Sequence, residues 1–404
     1  MSESTEPESP SPDQTPEPGQ PTAVAVDETP EPQDDGWGHA ITHPSRRGWM
    51  LLISATTTLL LLAVAFFLPV PFVKLAPGPT FNVIGTDDGE PVIRISGAQT
   101  YPVTGNLDMT TVLESGGPRG GLTFVDAIAS WLDPSDAVVP RELIFPDDVT
   151  GEQVQQRQAM LFSTSESDAV AAALNYLKMP IISTTVVTAV FQGSPADGVL
   201  VPKDEILAID GTKITAPDQV AKAIRAKPIG TTFDITVRRD GVEKDGSMQD
   251  NVEQTVQVTS AANPDNAEVP YIGITVGTFY SAGFPIDFTL TDVGGPSAGL
   301  MFATGIVDKL TPDNLTTGKH IAGTGTIEPD GTVGPIGGIR QKMAGARNAG
   351  AELFLMPKAH CTEAAGHIPD GLTVVPVETL TQGVEAIEAY TAGKPVASCP
   401  APVS

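Results

Sequence analysis

The chain has 404 residues, of which 40% are hydrophobic, and its 49 acidic and 23 basic residues give a formal net charge of −26. This length is enough for two or three domains, each with its own core. The negative charge argues against nucleic acid, and against anionic lipid recognised by charge alone, because both need positive potential. Two cysteines and five scattered histidines favour neither a disulfide scaffold nor a metal site. The sequence has no G-x-x-x-x-G-K-[S/T] element, so we expect neither an ATP-binding P-loop nor a cofactor.

The first part of the chain is acidic and rich in proline. Residues 1–45 hold ten acidic residues, nine prolines and no lysine or arginine. Low hydrophobicity combined with high net charge cannot offset the chain entropy lost on folding. Residues 1–46 are therefore predicted to be a disordered acidic tail.

An apolar segment begins after Arg46 and Arg47. Residues 48–73 carry no charge, and a bilayer core needs about 20 such residues. Residues 47–73 are predicted to be an uncleaved membrane helix. A cleaved signal peptide is the alternative, which the distance of this segment from the N-terminus disfavours. The two arginines place the tail in the cytoplasm by the positive-inside bias, so everything after the helix is predicted to be extracytoplasmic.

Residues 74–182 show no chemistry that we can assign, and they are predicted to form an extracytoplasmic scaffold region. The pattern of apolar residues predicts helices over residues 123–132 and 165–177. Ser165, with Asp168 three residues later, fits the N-cap of the second helix.

Residues 183–262 have the rhythm of a small β-rich domain. A predicted strand leads into Gly193-Ser194-Pro195-Ala196, and Lys203-Asp204-Glu205-Ile206 comes shortly before Ile209-Asp210-Gly211. These elements resemble a PDZ domain of the kind attached to bacterial proteases. The resemblance implies binding of an extended peptide, often by its C-terminal carboxylate.

Two features of this PDZ-like block stay open. Val220 and Ile224 mark one apolar face of a predicted helix, and they face either the peptide groove or the core. Residues 271–274, Tyr-Ile-Gly-Ile, are a candidate for the loop that binds the peptide carboxylate.

Residues 263–395 carry two short glycine-rich elements. Gly294-Gly295-Pro296-Ser297-Ala298-Gly299 precedes an apolar helix, and unpaired N–H groups at such a helix start can stabilise an oxyanion. Gly337-Gly338-Ile339-Arg340-Gln341-Lys342 begins a second helix. Taken alone, Ser297 is better explained as a helix N-cap, and Lys342 as a solvated helix lysine.

Together, these two elements resemble the proteolytic domain of the Lon (S16) peptidases over residues 284–392. The resemblance implies that Ser297 is the nucleophile and Lys342 the general base, with Thr324 of a Thr-Gly pair holding the lysine amine. The N–H groups of Ser297 and Gly295 would form the oxyanion hole. Further supporting positions implied by the resemblance are Gly295, Pro296, Gly337 and Gly338.

The resemblance has departures and several implications. Arg340 stands where the family often has its first lysine, and Thr326 stands where it commonly has a glutamate. The family commonly has an aspartate three residues before the serine, where this chain has Gly294; Asp292 lies two residues earlier. Lys342 can act near neutral pH only if burial lowers its pKa by roughly 3 units from about 10.4. With the membrane helix and the PDZ-like block, the chain is similar to membrane-anchored, PDZ-containing, Lon-like serine proteases of bacteria, actinobacterial type. That group implies ATP-independent cleavage of unfolded or flexible extracytoplasmic segments, PDZ-mediated recruitment or gating, and a homo-oligomer, a hexamer by analogy.

The cysteines and histidines near the C-terminus have structural interpretations. Cys361 and Cys399 would share an oxidising compartment, where a disulfide between them is permitted; two free thiols are the alternative. His360 and His367 flank Cys361, and we expect surface loop residues rather than metal ligands, because no carboxylate or second cysteine stands at ligand spacing. Residues 396–404 are predicted to be a C-terminal tail.

The predicted fold class is α+β multidomain, with a single transmembrane helix, a PDZ-like β-rich domain and a Lon-type proteolytic α+β domain. The expected partners are protein or peptide substrates and the membrane, with neither nucleic acid nor ATP. The alternative function is a proteolytically inert PDZ/Lon-like scaffold for the assembly of envelope protein complexes. A trypsin-like or cysteine protease is disfavoured, because no histidine and aspartate accompany a G-x-S-x-G element.

Overall fold

The structure, a computed structural model, describes residues 45–117, 121–145, 150–244, 247–249, 251–290 and 293–400. The predictions for most of the acidic tail, for Asp292 and for the last four residues lie outside these ranges.

A long apolar helix opens the described part. Helix α1 runs over Arg46–Phe67 and has no buried residue. Its 22 residues give a length of about 33 Å, slightly more than the hydrocarbon core of a bilayer. In the described residues it is the one helix long and apolar enough to cross a membrane. Judged by its internal contacts, the chain has two compact units. The first ends at Leu59, inside α1, and the second begins at Leu60.

The elements between α1 and the predicted PDZ-like block are mostly short strands. In chain order they are β1 Pro69–Val70, β2 Phe72–Asn82, β3 Thr86–Asp87, β4 Glu90–Pro91, β5 Ile93–Ile95, β6 Asn106–Ser115, β7 Leu122–Thr123, α2 Phe124–Leu132, β8 Ala137–Pro140 and α3 Gly151–Tyr176.

The next elements form what we call the inserted domain, residues 182–281. They are β9 Ile182–Val190, β10 Glu205–Ile209, β11 Thr212–Lys213, α4 Pro217–Arg225, β12 Thr232–Arg239, β13 Val242–Lys244, β14 Ser247–Gln249, β15 Val252–Thr259, β16 Ala261–Ala262, β17 Pro270–Tyr271 and β18 Ile274–Ser281.

The remaining elements return to the main domain. They are β19 Ile286–Phe288, α5 Gly299–Leu310, β20 His320–Gly323, β21 Thr326–Ile327, β22 Val333–Gly334, α6 Ile339–Asn348, β23 Leu353–Pro357, α7 Cys361–Ala364, β24 Thr373–Val377 and α8 Leu380–Thr391. Short 3-10 turns occupy Arg141–Leu143 and Lys358–His360.

One six-stranded sheet organises the main domain, in the order β24-β23-β20-β6-β2-β8. The strands from β24 to β6 are parallel, while β2 and β8 add to the edge in antiparallel fashion. Strand β6 meets β20 with Asn106 opposite His320 and Met109 opposite Gly323. The separate scaffold region predicted for residues 74–182 is therefore wrong, because three strands from this part of the chain, β2, β6 and β8, belong to the main sheet.

Helices cover this sheet on both faces. In β23, Leu353 and Leu355 pack into the core formed with α3, α5 and α8, whereas Phe354 and Met356 point to the opposite core with α6. This alternation is the two-residue period of a strand buried on both sides. Mixed helices and strands in this arrangement confirm the predicted α+β class.

The inserted domain has its own sheet, β15-β12-β10-β9-β18, with β11 beside β10, and its own core. Val220 and Ile224 of α4 lie in that core, 3% and 4% exposed, which settles the choice left open by the sequence. Strand β18 pairs with β9 over its whole length. The inserted domain thus extends beyond the predicted boundary at residue 262, and the chain re-enters the main domain when β19 pairs with β5.

Candidate active site

The predicted nucleophile lies in the loop that leads from β19 into α5. Ala298, not Ser297, occupies the N-cap position of α5, and no side chain caps the helix. Ser297 instead points into a cleft of about 650 Å³ between the loop and β6. The interpretation of Ser297 as an N-cap is therefore wrong.

Lys342 reaches this serine from α6. Its side chain is buried, with the residue 3% exposed, and its Nζ donates hydrogen bonds to Ser297 Oγ at 2.8 Å and to the Thr110 carbonyl oxygen at 2.7 Å. Burial lowers the pKa of Lys342 to about 7, because desolvation disfavours the charged amine. With this pKa, a substantial fraction of the amine is neutral near pH 7, and the neutral amine can accept the serine proton.

The start of α6 sets the position of this lysine. Gly338 occupies the N-cap with φ +71°, a left-handed conformation that favours glycine. A Cβ atom at Gly338 would also lie 2.7 Å from Cγ2 of Val112, on the strand behind it. Gly337 lines the cleft, and a Cβ atom there would meet nothing within 4 Å.

Thr324 is buried beside the serine but does not hold the lysine amine. Its hydroxyl donates to the Ser297 carbonyl oxygen at 3.1 Å, and the Gly325 N–H donates to the same oxygen at 2.9 Å. The expected contact between Thr324 and Lys342 is thus replaced by two bonds that fix the backbone of the nucleophile. The carbonyl of Thr110 is the second acceptor for the amine.

The N–H of Gly295 is engaged elsewhere than in an oxyanion hole. It donates to the Gln158 carbonyl oxygen at 3.1 Å, with Gly295 at φ +83°. The expected pairing of Gly295 with Ser297 is therefore not present in this arrangement. Within the described ranges, the N–H of Ser297 has no acceptor, so it remains available to an oxyanion.

We call the segment between β19 and α5 that contains Ser297 the nucleophile loop. Helix α3 supports this loop, a role that the sequence did not predict. Ser165 donates its hydroxyl to the Pro296 carbonyl oxygen at 2.9 Å, and Gln158 lies two turns earlier on the same helix. A Cβ atom at Gly294 would lie 2.9 Å from Cβ of Gln158, so a larger residue there would have to displace α3. No local pattern singles out Gln158 and Ser165, because their contacts with the loop arise only from the tertiary packing of α3.

Ser165 itself is not a helix cap. Helix α3 begins fourteen residues earlier, where Thr150 and Gln153 form a reciprocal capping box. The predicted start at Ser165 is wrong, because its pattern of a small hydroxyl followed by an acid occurs inside a longer helix.

The cleft is bounded by strand β6 and by the loop before α6. After Met109, β6 continues past the end of β20, so in the described sheet its Thr110-to-Ser115 stretch pairs only with β2. The freed strand edge faces Ser297, and the lining is mostly apolar. Glu114 lies at this edge, and burial raises its pKa. An open edge of this kind can pair with an extended peptide.

His360 holds the other wall of the cleft. It is 9% exposed, and its Nε2 accepts the N–H of Ile336 at 2.9 Å, while its Nδ1 lies 3.1 Å from Glu363. The expectation of a surface loop residue is wrong for His360, because it supports the backbone ahead of Gly337; His367 is exposed. In the part of the chain that the structure describes, no cluster of metal-binding side chains occurs.

Cys361 and Cys399 are joined in a disulfide. Both sulfur-bearing side chains pack against the core beneath α6. The bond therefore ties the segment that follows α8 to the face of the sheet that carries Lys342.

Helix α3 also contacts the inserted domain. Ser167 accepts the N–H of Tyr280, in β18, at 2.7 Å. Burial raises the pKa of the neighbouring Glu166 to about 7, and the positive charge of Lys203 opposes this shift. One helix therefore contacts the nucleophile loop at Ser165 and the inserted domain at Ser167, two residues later.

The inserted domain has a second strand edge at which an extended peptide can pair. Strand β18 is the outer strand of its sheet, and α4 packs beside β17 and β18. The loop before β18 turns at Gly273, φ +83°, where a Cβ atom would overlap Ser194. The candidate carboxylate loop at residues 271–274 is thus at the start of an open strand edge.

Comparison with known proteins agrees with both parts of this architecture. Residues 243–388 match the family model described as the Lon protease (S16) C-terminal proteolytic domain, and residues 158–249 match the PDZ domain. The chain carries a PDZ domain and a Lon-type proteolytic domain. The proteolytic domain is that of the serine peptidase family named for Lon.

Several Lon proteases are similar to a short stretch of this chain. The Azospirillum brasilense Lon protease is 39% identical over 94 residues, 22% of this chain and 11% of that protein. The Geobacter metallireducens Lon protease is 35% identical over 118 residues, 27% of this chain and 14% of that protein. The mitochondrial Lon protease homolog of Debaryomyces hansenii is 36% identical over 87 residues, 21% of this chain and 8% of that protein. The chain thus matches only about a tenth of the length of these relatives.

Solved structures also resemble the PDZ domain. The PDZ domain of an SdrC-like protein from Listeria innocua is 24% identical, and the match covers 23% of this chain and 92% of that one with a TM-score of 0.19.

Proposed function

We propose that this protein is a membrane-anchored serine endopeptidase that works without ATP, through Ser297 and Lys342. The observation that carries the proposal is the 2.8 Å contact between Lys342 Nζ and Ser297 Oγ, made by a buried amine whose pKa is lowered to about 7. The contact lies in a cleft large enough for several residues of an extended peptide. Thr324 and Ser165 act as positioning residues for the nucleophile loop.

The proposed reaction is acyl transfer in two steps. Neutral Lys342 takes the proton of Ser297 Oγ as the oxygen attacks the scissile carbonyl, and the Ser297 N–H stabilises the oxyanion. The Lys342 ammonium then gives its proton to the leaving amine, and the C–N bond breaks to leave an ester on Ser297. Water attacks the ester, its proton passes to Lys342 and then to Ser297 Oγ, and the carboxylic acid product leaves.

The substrates that suit this site are extended protein segments. The free edge of β6 supplies backbone partners for a strand, and the apolar lining of the cleft suits side chains that are buried in folded proteins. The sequence contains no P-loop element that could drive unfolding. We therefore assign unfolded or flexible protein segments as substrates.

The membrane anchor and the PDZ domain complete the proposal. Helix α1 is long and apolar enough to span a bilayer, and Arg46 and Arg47 favour a cytoplasmic N-terminus with the cleft on the extracytoplasmic side. The outer edge of β18 is proposed to hold peptide tails of substrates and so to recruit them or gate the cleft. By family resemblance, the functional form is a homo-oligomer, a hexamer.

The test is cleavage of an unstructured protein by the full chain in lipid nanodiscs, without ATP. Wild-type protein should release peptides, whereas Ser297→Ala and Lys342→Ala should not. Lys309→Ala is a matched control, because this second partly buried lysine lies outside the cleft. Equal cleavage by wild type and Ser297→Ala would contradict the assignment. Absence of cleavage by wild type, with peptide binding retained, would favour the inert scaffold.

A further inference from the structure

The first turn of α2 lies against the end of the membrane helix. The Phe124 N–H donates to the Leu68 carbonyl oxygen at 3.2 Å, and β1 pairs with β7 so that Pro69 faces Thr123. Leu68 directly follows α1, which ends at Phe67. Any bilayer crossed by α1 must therefore end within a few ångströms of the start of α2.

Helix α2 exposes a row of large apolar side chains. Phe124, Ile128, Trp131 and Leu132 are 45%, 42%, 78% and 73% exposed, and their spacing of four, seven and eight residues puts them on one helix face. Leu143, 74% exposed, lies in the 3-10 turn whose Arg141 N–H donates to the Pro71 carbonyl oxygen. We call these five apolar residues the α2 surface, which comprises Phe124, Ile128, Trp131, Leu132 and Leu143.

We propose that the α2 surface lies in the interfacial layer of the bilayer that α1 crosses. This inference rests on the membrane anchor of the proposed function. We assign lipid as the partner of the α2 surface because this surface starts where the apolar surface of α1 ends. Contiguous exposed apolar side chains with a tryptophan are typical of helices that lie along a membrane surface.

The chemistry of the contact is apolar rather than electrostatic. The chain after residue 73 has a net charge of −18, and Asp126 and Asp133 lie on α2 and at its C-cap. Anionic headgroups would be repelled, so the contact is with the acyl boundary of zwitterionic lipid.

The contact would keep the cleft close to the bilayer. Strand β2 begins at Phe72, and its Leu75 lines the cleft. Leu75 lies eight residues after the end of α1, so even a fully extended chain places it within about 27 Å of that point. A docked α2 surface would stop the domain from swinging away on the short connection between Phe67 and Phe72.

Tryptophan fluorescence in the full chain tests the proposal, because the protein has three tryptophans: Trp37, Trp49 and Trp131. The variant W37F/W49F leaves only Trp131. In nanodiscs of phosphatidylcholine we expect lipid brominated near the headgroup to reduce its emission about twofold, and lipid brominated deep in the tails to reduce it less. Leu132→Glu should weaken this quenching, because a charge opposes insertion.

The variant W37F/W131F leaves only Trp49, which lies within α1. It separates the claim that α1 spans the membrane from the claim that the α2 surface contacts lipid. Quenching of both Trp49 and Trp131 supports the proposal. Quenching of Trp49 with an unquenched Trp131 overturns lipid contact by α2 but leaves the anchor standing. A blue-shifted Trp131 that neither brominated lipid nor acrylamide quenches would show contact with protein, such as a second copy, and would also overturn it. If neither tryptophan is quenched by lipid, the anchor fails as well.

Discussion

Burial alone accounts for the lowered pKa of Lys342. Its amine is held by two neutral oxygens, Ser297 Oγ and the Thr110 carbonyl, and neither compensates a full positive charge as a carboxylate would. The proposed base is therefore poised near neutral pH at the expense of folding stability.

This cost in the free energy of unfolding should be visible when Lys342 is replaced by methionine. The folded pKa of about 7 lies below the ordinary value of 10.5, so the folded state disfavours the proton and stability falls as pH drops through this window. The penalty is fully present below pH 7 and vanishes above the unfolded pKa. Its size is about 5 kcal/mol, partly offset by the lost bond to the Thr110 carbonyl. We expect Lys342→Met to abolish activity and to stabilise the protein at pH 7 by roughly 2 kcal/mol.

Thermal unfolding of full chains in nanodiscs at pH 7 and pH 10 checks this expectation. The gain should be larger at pH 7 than at pH 10. Lys309→Met should keep its activity, because the Lys309 amine bonds the Ile84 carbonyl away from the cleft. A variant Lys342→Met that is less stable than wild type at pH 7 would show that the amine is not held at a cost.

Thr324 holds the backbone of Ser297, the proposed nucleophile. Thr324→Val removes the hydroxyl bond to the Ser297 carbonyl but leaves the Gly325 N–H bonded to it. We expect kcat on a short peptide to fall roughly fivefold with little change in KM. Thr304→Val is the matched control, because among the described residues this buried hydroxyl bonds the Leu300 carbonyl within α5 and nothing in the cleft. Equal effects of both substitutions would reduce Thr324 to a packing role.

At the scale of elements, α3 contacts both the nucleophile loop and the PDZ domain through two residues that are two positions apart. Ser165 bonds the Pro296 carbonyl in the nucleophile loop, and Ser167 bonds the N–H of Tyr280 in the PDZ domain. Loss of the first bond leaves a half-buried carbonyl without this partner, at a cost of about 1 kcal/mol.

We expect Ser165→Ala to lower kcat on a short peptide about tenfold, with KM unchanged, and Ser165→Thr to restore part of it. Ser167→Ala should leave turnover of the short peptide as in wild type, because its bond lies on the PDZ side. Steady-state kinetics with one peptide compares the three variants. A tenfold loss in Ser167→Ala together with normal turnover in Ser165→Ala would reverse the roles assigned to the two serines.

Short-range sequence patterns predict the elements that carry Ser297 and Lys342. They do not predict the elements that pack against these from more distant parts of the chain. The Gly-Pro-Ser-Ala-Gly turn, the helix that carries Lys342 and the buried strand β23 all follow from short-range signals. Helix α3 does not, because its stretch of serines and threonines around Ser165 disfavours helix and imitates a cap. The pairing of β6 with β20 joins residues more than 200 positions apart, and no local pattern encodes it. The contacts of Thr324 and Gly295 depend on that same tertiary packing.

At the scale of the whole molecule, the disulfide closes the chain after its last helix. Cys361 and Cys399 are 38 residues apart, and closing such a loop in the unfolded chain is worth about 4 kcal/mol. We expect the double variant Cys361→Ala/Cys399→Ala to unfold several degrees lower while its activity at 25 °C stays near wild type. Thermal scans with and without reductant measure this. Reductant should lower the midpoint of the wild type only; an equal shift in the double variant would assign the effect to something else.

The PDZ domain is placed inside the proteolytic domain rather than ahead of it. The chain first forms β2, β6 and α3 of the main domain and then the PDZ domain over residues 182–281. From β19 onward it continues in the main domain, where β20, β23 and β24 complete the sheet. An insertion at this point gives the PDZ domain two covalent connections to the core that carries Ser297. Its contact with α3 then lies one helical turn or less from the residue that supports the nucleophile loop.

The most direct test of the account is the pH dependence of Ser297 modification by a fluorophosphonate, followed by intact mass and peptide mapping. The full chain in nanodiscs, without ATP, should be modified at Ser297, with a rate that rises to half its maximum near pH 7, where Lys342 loses its proton. Ser297→Ala should not react, and Lys342→Met should lose the rate at neutral pH. Modification at another serine, or a rate at neutral pH that survives in Lys342→Met, would contradict activation of Ser297 by Lys342.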